Sequence, residues 1–205
     1  MKKTFPHRLA LQQRVLPSYR VPFFDLLAQS CESMSLFAGQ PRPVEMIASG
    51  QPQIAKYHEA KNIHLFSGAF YLCHQRGFTS WLEEWNPDVL IVEANPRYLA
   101  TSSAVKWMHS RGRKVLGWGL GAPTGSPSPF GSPTGVLRKG FGVRARFINQ
   151  FDAMISYSQR GAEEYAALGF PREKIFVAHN SVSPAPTFNL QPATFKSKPS
   201  ILFVG

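Results

Sequence analysis

The chain has 205 residues, 43% apolar and 17% charged, enough apolar material for one domain with a substantial core and too much for a disordered tail. Lysine and arginine number 23 against 12 acids, a formal charge of +11, so the expected partners are anionic: nucleic acid, anionic lipid or phosphorylated small molecules. Only Cys31 and Cys73 occur, without a C-x-x-C spacing, which argues against a disulfide scaffold or a cysteine zinc site and fits a reducing compartment. No apolar run approaches the roughly 20 residues of a membrane span, and the opening Met-Lys-Lys-Thr-Phe-Pro-His-Arg lacks the apolar core of a signal peptide. A cytoplasmic protein is expected, soluble or peripheral at the inner face of the membrane.

Arg8 to Leu16 reads as the first strand, closed by Pro17; a helix then begins near Pro22 with Phe23, Phe24, Leu26 and Leu27 as its buried face. Short apolar, often β-branched runs suited to parallel strands follow at Ser35 to Ala38, Asn62 to Phe66, Asp88 to Glu93, Lys114 to Trp118, Ala153 to Tyr157 and Ile175 to His179. The intervening helices are clearest at Phe78 to Trp85, Leu99 to Arg111, Gly135 to Phe151, and Gln159 to Leu168 with Ser158 as N-cap and Gly169 as C-cap. Strands alternating with helices predict an α/β fold, a Rossmann-like doubly wound parallel sheet.

Ligands of such sheets bind outside the carboxyl ends of the strands. Three stretches should meet there: Pro17 to Arg20, Asn95 to Arg97, and the segment Gly119 to Gly135, which holds five glycines and four prolines and reads as a long loop. Glu93, Asn95 and Arg97 place a carboxylate, an amide and a guanidinium at one strand end. Arg97 there binds phosphate or carboxylate and Asn95 sugar hydroxyls, or Asn95 and Pro96 simply make a turn. Tyr19 offers a stacking surface or packs under the next helix, and Arg20 offers a fixed cation. Trp118 stacks on a sugar ring or belongs to the core. Gly119 and Gly121 leave room for a ligand or a neighbouring backbone, or serve turn geometry alone.

Charge is concentrated between Asn95 and Ala162, where ten lysines and arginines face the single acid Asp152. The helix expected at Gly135 to Phe151 carries Val136, Val143, Phe147 and Phe151 on one side and the bases Arg138, Lys139, Arg144 and Arg146, a candidate anion or membrane patch; the alternative is an ordinary surface helix packed on the sheet. The sequence has no G-x-G-x-x-G fingerprint and no G-x-x-x-x-G-K-[ST] loop, no Asp-x-Asp pair and no His pair at i and i+4. Neither a resident metal nor a cofactor is expected.

Several motifs together, Gln13-Arg14-Val15-Leu16-Pro17-Ser18-Tyr19-Arg20-Val21-Pro22-Phe23-Phe24, Ile155-Ser156-Tyr157-Ser158 with Arg160-Gly161-Ala162, and Gly169-Phe170-Pro171 with Lys174-Ile175, resemble the amino-terminal domain of family 4 glycosyltransferases. His179-Asn180-Ser181-Val182 is similar to that family's Asn-Gly-Val-Asp element, with Ser181 and Ser183 in place of glycine and aspartate, and Ile201-Leu202-Phe203-Val204-Gly205 is similar to the opening of its second domain. The resemblance implies one half of a GT-B architecture: an acceptor-side Rossmann-like domain over 1–182, an interdomain linker over 183–199, and over 200–205 the first strand of a donor-binding domain that lies beyond this truncated chain. It implies a retaining, metal-independent transferase that moves a sugar from a nucleotide-diphosphate sugar to a glycan or lipid-linked acceptor. No catalytic histidine is carried over, because Trp118-Gly119-Leu120-Gly121 stands where the family often has one.

The residues expected in the acceptor and donor cleft are therefore Pro17, Tyr19, Arg20, Glu93, Asn95, Arg97, Trp118, Gly119, Gly121 and Asn180, with Arg20 and Arg97 as candidates for donor phosphate or a charged acceptor. The chain alone is expected to be inactive in transfer. The alternative is a non-catalytic basic module that binds membrane or nucleic acid, although no nucleic-acid-binding motif occurs.

Overall fold

The computed structural model describes residues 4–121 and 142–179. They form an eight-stranded sheet in the order β4-β3-β2-β1-β5-β6-β7-β8, with β1 at Phe5–Val15, β2 at Cys31–Gly39, β3 at Lys56–Leu65, β4 at Leu72–Arg76, β5 at Val89–Glu93, β6 at Lys114–Gly119, β7 at Ala153–Ser156 and β8 at Ile175–Val177. The helices are α1 (Val21–Ser30), α2 (Phe78–Trp85), α3 (Thr101–His109), α4 (142–148) and α5 (Gln159–Ala167). All pairings are parallel except β3 with β4. This is the Rossmann-like α/β fold the alternation of strands and helices predicts.

Period-two alternation along β1 divides the core. Leu9 and Leu11 face α1, with Phe24, Met34, Leu36 and Trp118, whereas Ala10 packs with Phe37, Leu90, Val92 and the buried residues of α2, α3 and α5. The first layer holds mainly Phe24 of α1: Phe23 and Leu26 are exposed, so the expected four-residue apolar face is narrower than the sequence suggests. On the other layer, Phe37 stacks on both Phe78 and Trp81 at centroid distances of 5.2 and 4.9 Å, which fixes α2 on the sheet.

Two expectations are corrected. The sheet is not wholly parallel, because β4, absent from the sequence reading, adds an antiparallel edge through a hairpin. Its sequence Leu-Cys-His-Gln-Arg has one fully apolar residue and buries Cys73 and Gln75 in alternation with exposed His74 and Arg76, so its period of two carries almost no hydrophobic signal. Val143 of α4 is exposed and does not share the packing side, which is formed by Ile148 and Phe151 with half-buried Phe147. The earlier part of the expected helix, with Val136, Arg138 and Lys139, and the expected linker and second-domain strand lie outside the described residues.

Polar residues also hold the sheet. Buried Gln12 of β1 donates to the side-chain oxygen of Gln75 on β4, and Gln75 donates onward to Gln13 O at 3.1 Å and Asn62 Oδ1 at 2.9 Å. Asn62 on β3 donates to Arg14 O at 2.8 Å and Gln40 O at 2.9 Å. The bonds to Gln12, Gln13 and Arg14 tie β3 and β4 to β1, a strand distant in sequence. Gly39 leaves the space Asn62 fills, since a Cβ there would overlap its amide oxygen. Gly39→Ala should therefore displace Asn62 and destabilise the chain by about 1–3 kcal/mol. A urea midpoint unchanged from wild type would show that this amide network does not hold the sheet edge.

Candidate functional site

The strand order reverses at β1, which has β2 on one side and β5 on the other, and the crevice at this switch point opens beyond the carboxyl ends of β5, β6 and β7. It encloses about 500 Å³. Of the residues expected from the sequence, it brings together Tyr19, Arg20, Glu93, Asn95, Arg97, Trp118, Gly119 and Gly121. Pro17 lies outside its lining, paired with Ser49 in an isolated bridge that holds the 46–50 segment against the end of β1. Asn180 falls outside the described residues. The basic patch divides: Arg144 lines the crevice, Arg146 is exposed on the same helix, and Arg138 and Lys139 are not described.

Arg20 is the best-positioned cation. Its guanidinium carbon sits 4.9 Å from the centre of the Trp118 ring, 5.5 Å from Phe24 and 5.6 Å from Tyr157, and its Nη1 donates to Gln13 Oε1 at 3.1 Å. Stacked aromatic faces and one amide fix the plane of the fork while leaving most of its donors for a ligand. Trp118 thus serves Arg20 from the core, packed at 5.3 Å on Tyr157, and is buried rather than displayed to a sugar. Tyr19, by contrast, is exposed at the rim.

Among the described residues Glu93 is the only carboxylate in the crevice wall. Burial raises its pKa, against the lowering effect of the Arg14 N–H, which donates to Oε2 at 2.7 Å, and of the Arg14 and Arg20 charges. Its own N–H donates to Gln12 Oε1 at 3.0 Å. A carboxyl so held can exchange a proton nearer neutrality than a solvated one and can accept from a ligand hydroxyl. Asn95 makes the turn that was the plainer of its two readings: its Oδ1 accepts from Arg97 N–H at 3.0 Å, and its amide group remains at the wall. Arg97 is exposed, with no ion pair among the described residues.

Gly119 at the end of β6 and Gly121 just past it line the crevice and also make room for neighbouring protein. A Cβ on Gly119 would lie 2.5 Å from Tyr165 Oη, and one on Gly121, whose φ is +122°, would lie 2.7 Å from Gly161 Cα. Gly121 N–H donates to Tyr165 Oη at 3.2 Å, and burial pushes that phenol up to about 12. Helix α5, capped by Ser158 Oγ accepting from Gly161 N–H at 3.1 Å, thereby seats its first turn against the crevice wall.

Tyr98, Tyr157 and Tyr165 also line the crevice and were not among the expected cleft residues. The available signal was positional: Tyr157 follows β7 as Trp118 ends β6 and Tyr98 follows the strand-end cluster, so each lies at the same sheet edge. Arginines thus outnumber acids in the wall, with Arg20, Arg97 and Arg144 facing Glu93. Among the described residues no group of three or more histidines, cysteines or acids is placed to hold a metal ion.

An open, mostly parallel sheet with a basic crevice at its carboxyl edge defines a Rossmann-like unit. No protein-family profile matches the sequence, and no curated protein does. Among solved structures, the lipopolysaccharide outer core galactosyltransferase WaaB in its apo form matches with a TM-score of 0.50 and 14% identity, over 86% of this chain and 46% of that one. Anabaena HepE in complex with UDP-glucose matches with a TM-score of 0.51 and 12% identity, over 85% and 44%. A Listeria monocytogenes protein assigned as a UDP-N-acetylglucosamine 2-epimerase matches with a TM-score of 0.50 and 14% identity, over 86% and 45%. This chain spans less than half the length of each, and the likeness is one of fold.

Behind the crevice, Glu45 binds Arg14 Nη1 at 2.9 Å and Arg42 Nη2 at 3.0 Å. Partial burial alone would raise the Glu45 carboxyl, but these guanidinium groups and the Arg42 N–H outweigh it and hold it at about 2 instead of 4.5. A carboxyl lowered on folding stabilises the fold above its ordinary pKa, and the contribution is lost as pH falls from about 4.5 toward 2. Glu45→Gln should cost about 1–3 kcal/mol at pH 7. In denaturant titrations at stepped pH the two proteins should converge near the acid end of that window; a constant difference would refute the assignment.

Proposed function

We propose that this chain is the acceptor-side half of a glycosyltransferase, which moves a sugar from a nucleotide-diphosphate sugar to a glycan or lipid-linked acceptor. The observation that carries this reading is the arginine-lined crevice at the switch point, with Arg20 held rigid by three aromatic rings beside a carboxyl of raised pKa. Negative charge grows on the leaving diphosphate as the glycosidic bond breaks, and a preoriented guanidinium stabilises that charge without reorganising during the reaction. Arg20 takes this role, the one that a divalent cation fills in Asp-x-Asp enzymes, and the freer Arg97 meets donor phosphate or a charged acceptor. Glu93 accepts a hydrogen bond from an acceptor hydroxyl and orients it.

Retention of configuration and membership of family 4 rest on the sequence resemblance. The fold neighbours support the sugar-nucleotide class: one is a galactosyltransferase, and one is bound to UDP-glucose. With the chain spanning under half of each neighbour, the donor's remaining contacts fall to a second domain, and the 205-residue chain alone is inactive.

The test is transfer from a panel of radiolabelled nucleotide sugars by the 205-residue chain and by the complete gene product, with and without a chelator. The complete product should transfer in chelator and the chain should not. Arg20→Gln should lower kcat/KM about 10- to 100-fold, and Glu93→Gln should lower kcat with little change in donor KM. Turnover by the chain alone would overturn the half-site reading. Conversion of donor without any acceptor would replace transfer by isomerisation of the nucleotide sugar.

A further inference from the structure

The β3–β4 hairpin ends in an apolar tip. Phe66 is 72% exposed and Phe70 80% exposed, and both rings border an open hollow of about 660 Å³ together with Tyr71 and Arg97. Phe66 has a φ of +58°, a left-handed conformation rarely adopted by a bulky side chain, so the hairpin holds this ring outward against a local preference. Gly68, also left-handed at +56°, opens the 3-10 turn Gly68–Phe70 that completes the tip.

A second apolar projection stands beside it. Val44 and Met46, 78% and 92% exposed, follow β2 on the same edge of the sheet. The two segments are joined where the Arg42 guanidinium stacks 4.6 Å from the centre of the Tyr71 ring. Arg97 lines the hollow beside these side chains, Arg42 is paired with Glu45 between Val44 and Met46, and among the described residues no acid lines the hollow itself. Aromatic and aliphatic tips beside an arginine, on a chain of net charge +11, complement one kind of surface: an apolar layer beneath a film of negative charge.

We propose that the β3–β4 hairpin tip docks this protein on an anionic lipid bilayer, with Phe66 and Phe70 entering the interface and Arg97 meeting the headgroups. The site is distinct from the basic helix singled out in the sequence. Arg97 lines both the tip hollow and the crevice, so docking sets the crevice mouth at the lipid surface. Docking itself needs no sugar chemistry; what it adds to the transferase reading is a membrane-borne acceptor.

The test is co-sedimentation of the 205-residue chain with vesicles of phosphatidylcholine alone or mixed with phosphatidylglycerol, without nucleotide sugar. Binding should require phosphatidylglycerol and weaken with salt. Phe66→Ser/Phe70→Ser should reduce partitioning about 10- to 100-fold with an unchanged urea midpoint. As a second readout that keeps the site intact, Phe70→Trp excited selectively against a parallel wild-type sample should add a blue-shifted emission component quenched by brominated acyl chains. Equal binding by the double variant, equal binding to neutral vesicles, or no added quenchable component would each overturn the proposal. So would self-association that the double variant abolishes in the absence of vesicle binding. Failure here leaves the transfer assay unaffected, and failed transfer leaves vesicle binding unaffected.

Discussion

Three polar residues close the central strand, and the crevice depends on them. Gln12 accepts the N–H of Glu93, Gln13 accepts from Arg20, and Arg14 donates its N–H to the Glu93 carboxylate and its guanidinium to Glu45. Because successive strand residues point to opposite faces, Gln13 reaches the α1 side, where Arg20 lies over Trp118, while Gln12 reaches Gln75 on the other. One short segment therefore fixes the cation and the carboxyl independently. Burying such groups is costly unless each is bonded, and here each has a partner.

The same segment explains how much the sequence reveals. Apolar runs such as Val89 to Val92 and Lys114 to Trp118 locate β5 and β6 nearly to the residue, since strands covered on both faces must be continuously hydrophobic. The shared strand edge then follows from topology, which is why Tyr19, Arg20, Glu93, Asn95, Arg97 and Trp118 meet as expected. What stays hidden is carried by polar residues in the interior. Gln12, Gln13 and Gln75 read as surface in any hydropathy pattern, so β4 goes unseen and the network with it. Trp118 and the paired glycines were visible, but their use is decided by neighbours more than 30 residues away, at Tyr157, Gly161 and Tyr165.

Rigidity is distributed unevenly around the crevice. Arg20 is held on several sides and Glu93 by two bonds involving the backbone, whereas the Arg97 side chain is exposed and makes no ion pair among the described residues, extending from a turn held through its backbone to Asn95 and Cys73. A fixed cation suits a charge that develops at one place in space; a freer one suits a group whose position varies between substrates. On the proposed transferase reading, that division suits a constant leaving group and a changeable acceptor.

The antiparallel strand β4 has a consequence beyond its amide bonds. A parallel sheet ending at β3 would present ten residues of open backbone donors and acceptors to any other extended chain. Five residues of β4 pair with the Lys61–Leu65 half of that strand, with His74 and Arg76 turned to solvent, and the opposite border at β8 is only three residues long. Among the described residues β8 and β4 are thus short borders, β4 polar as well, and the open part of β3 is reduced to Lys56–Ala60, which limits edge-to-edge recruitment. Losing the hairpin would expose a template for aggregation as well as an unfilled place in the fold.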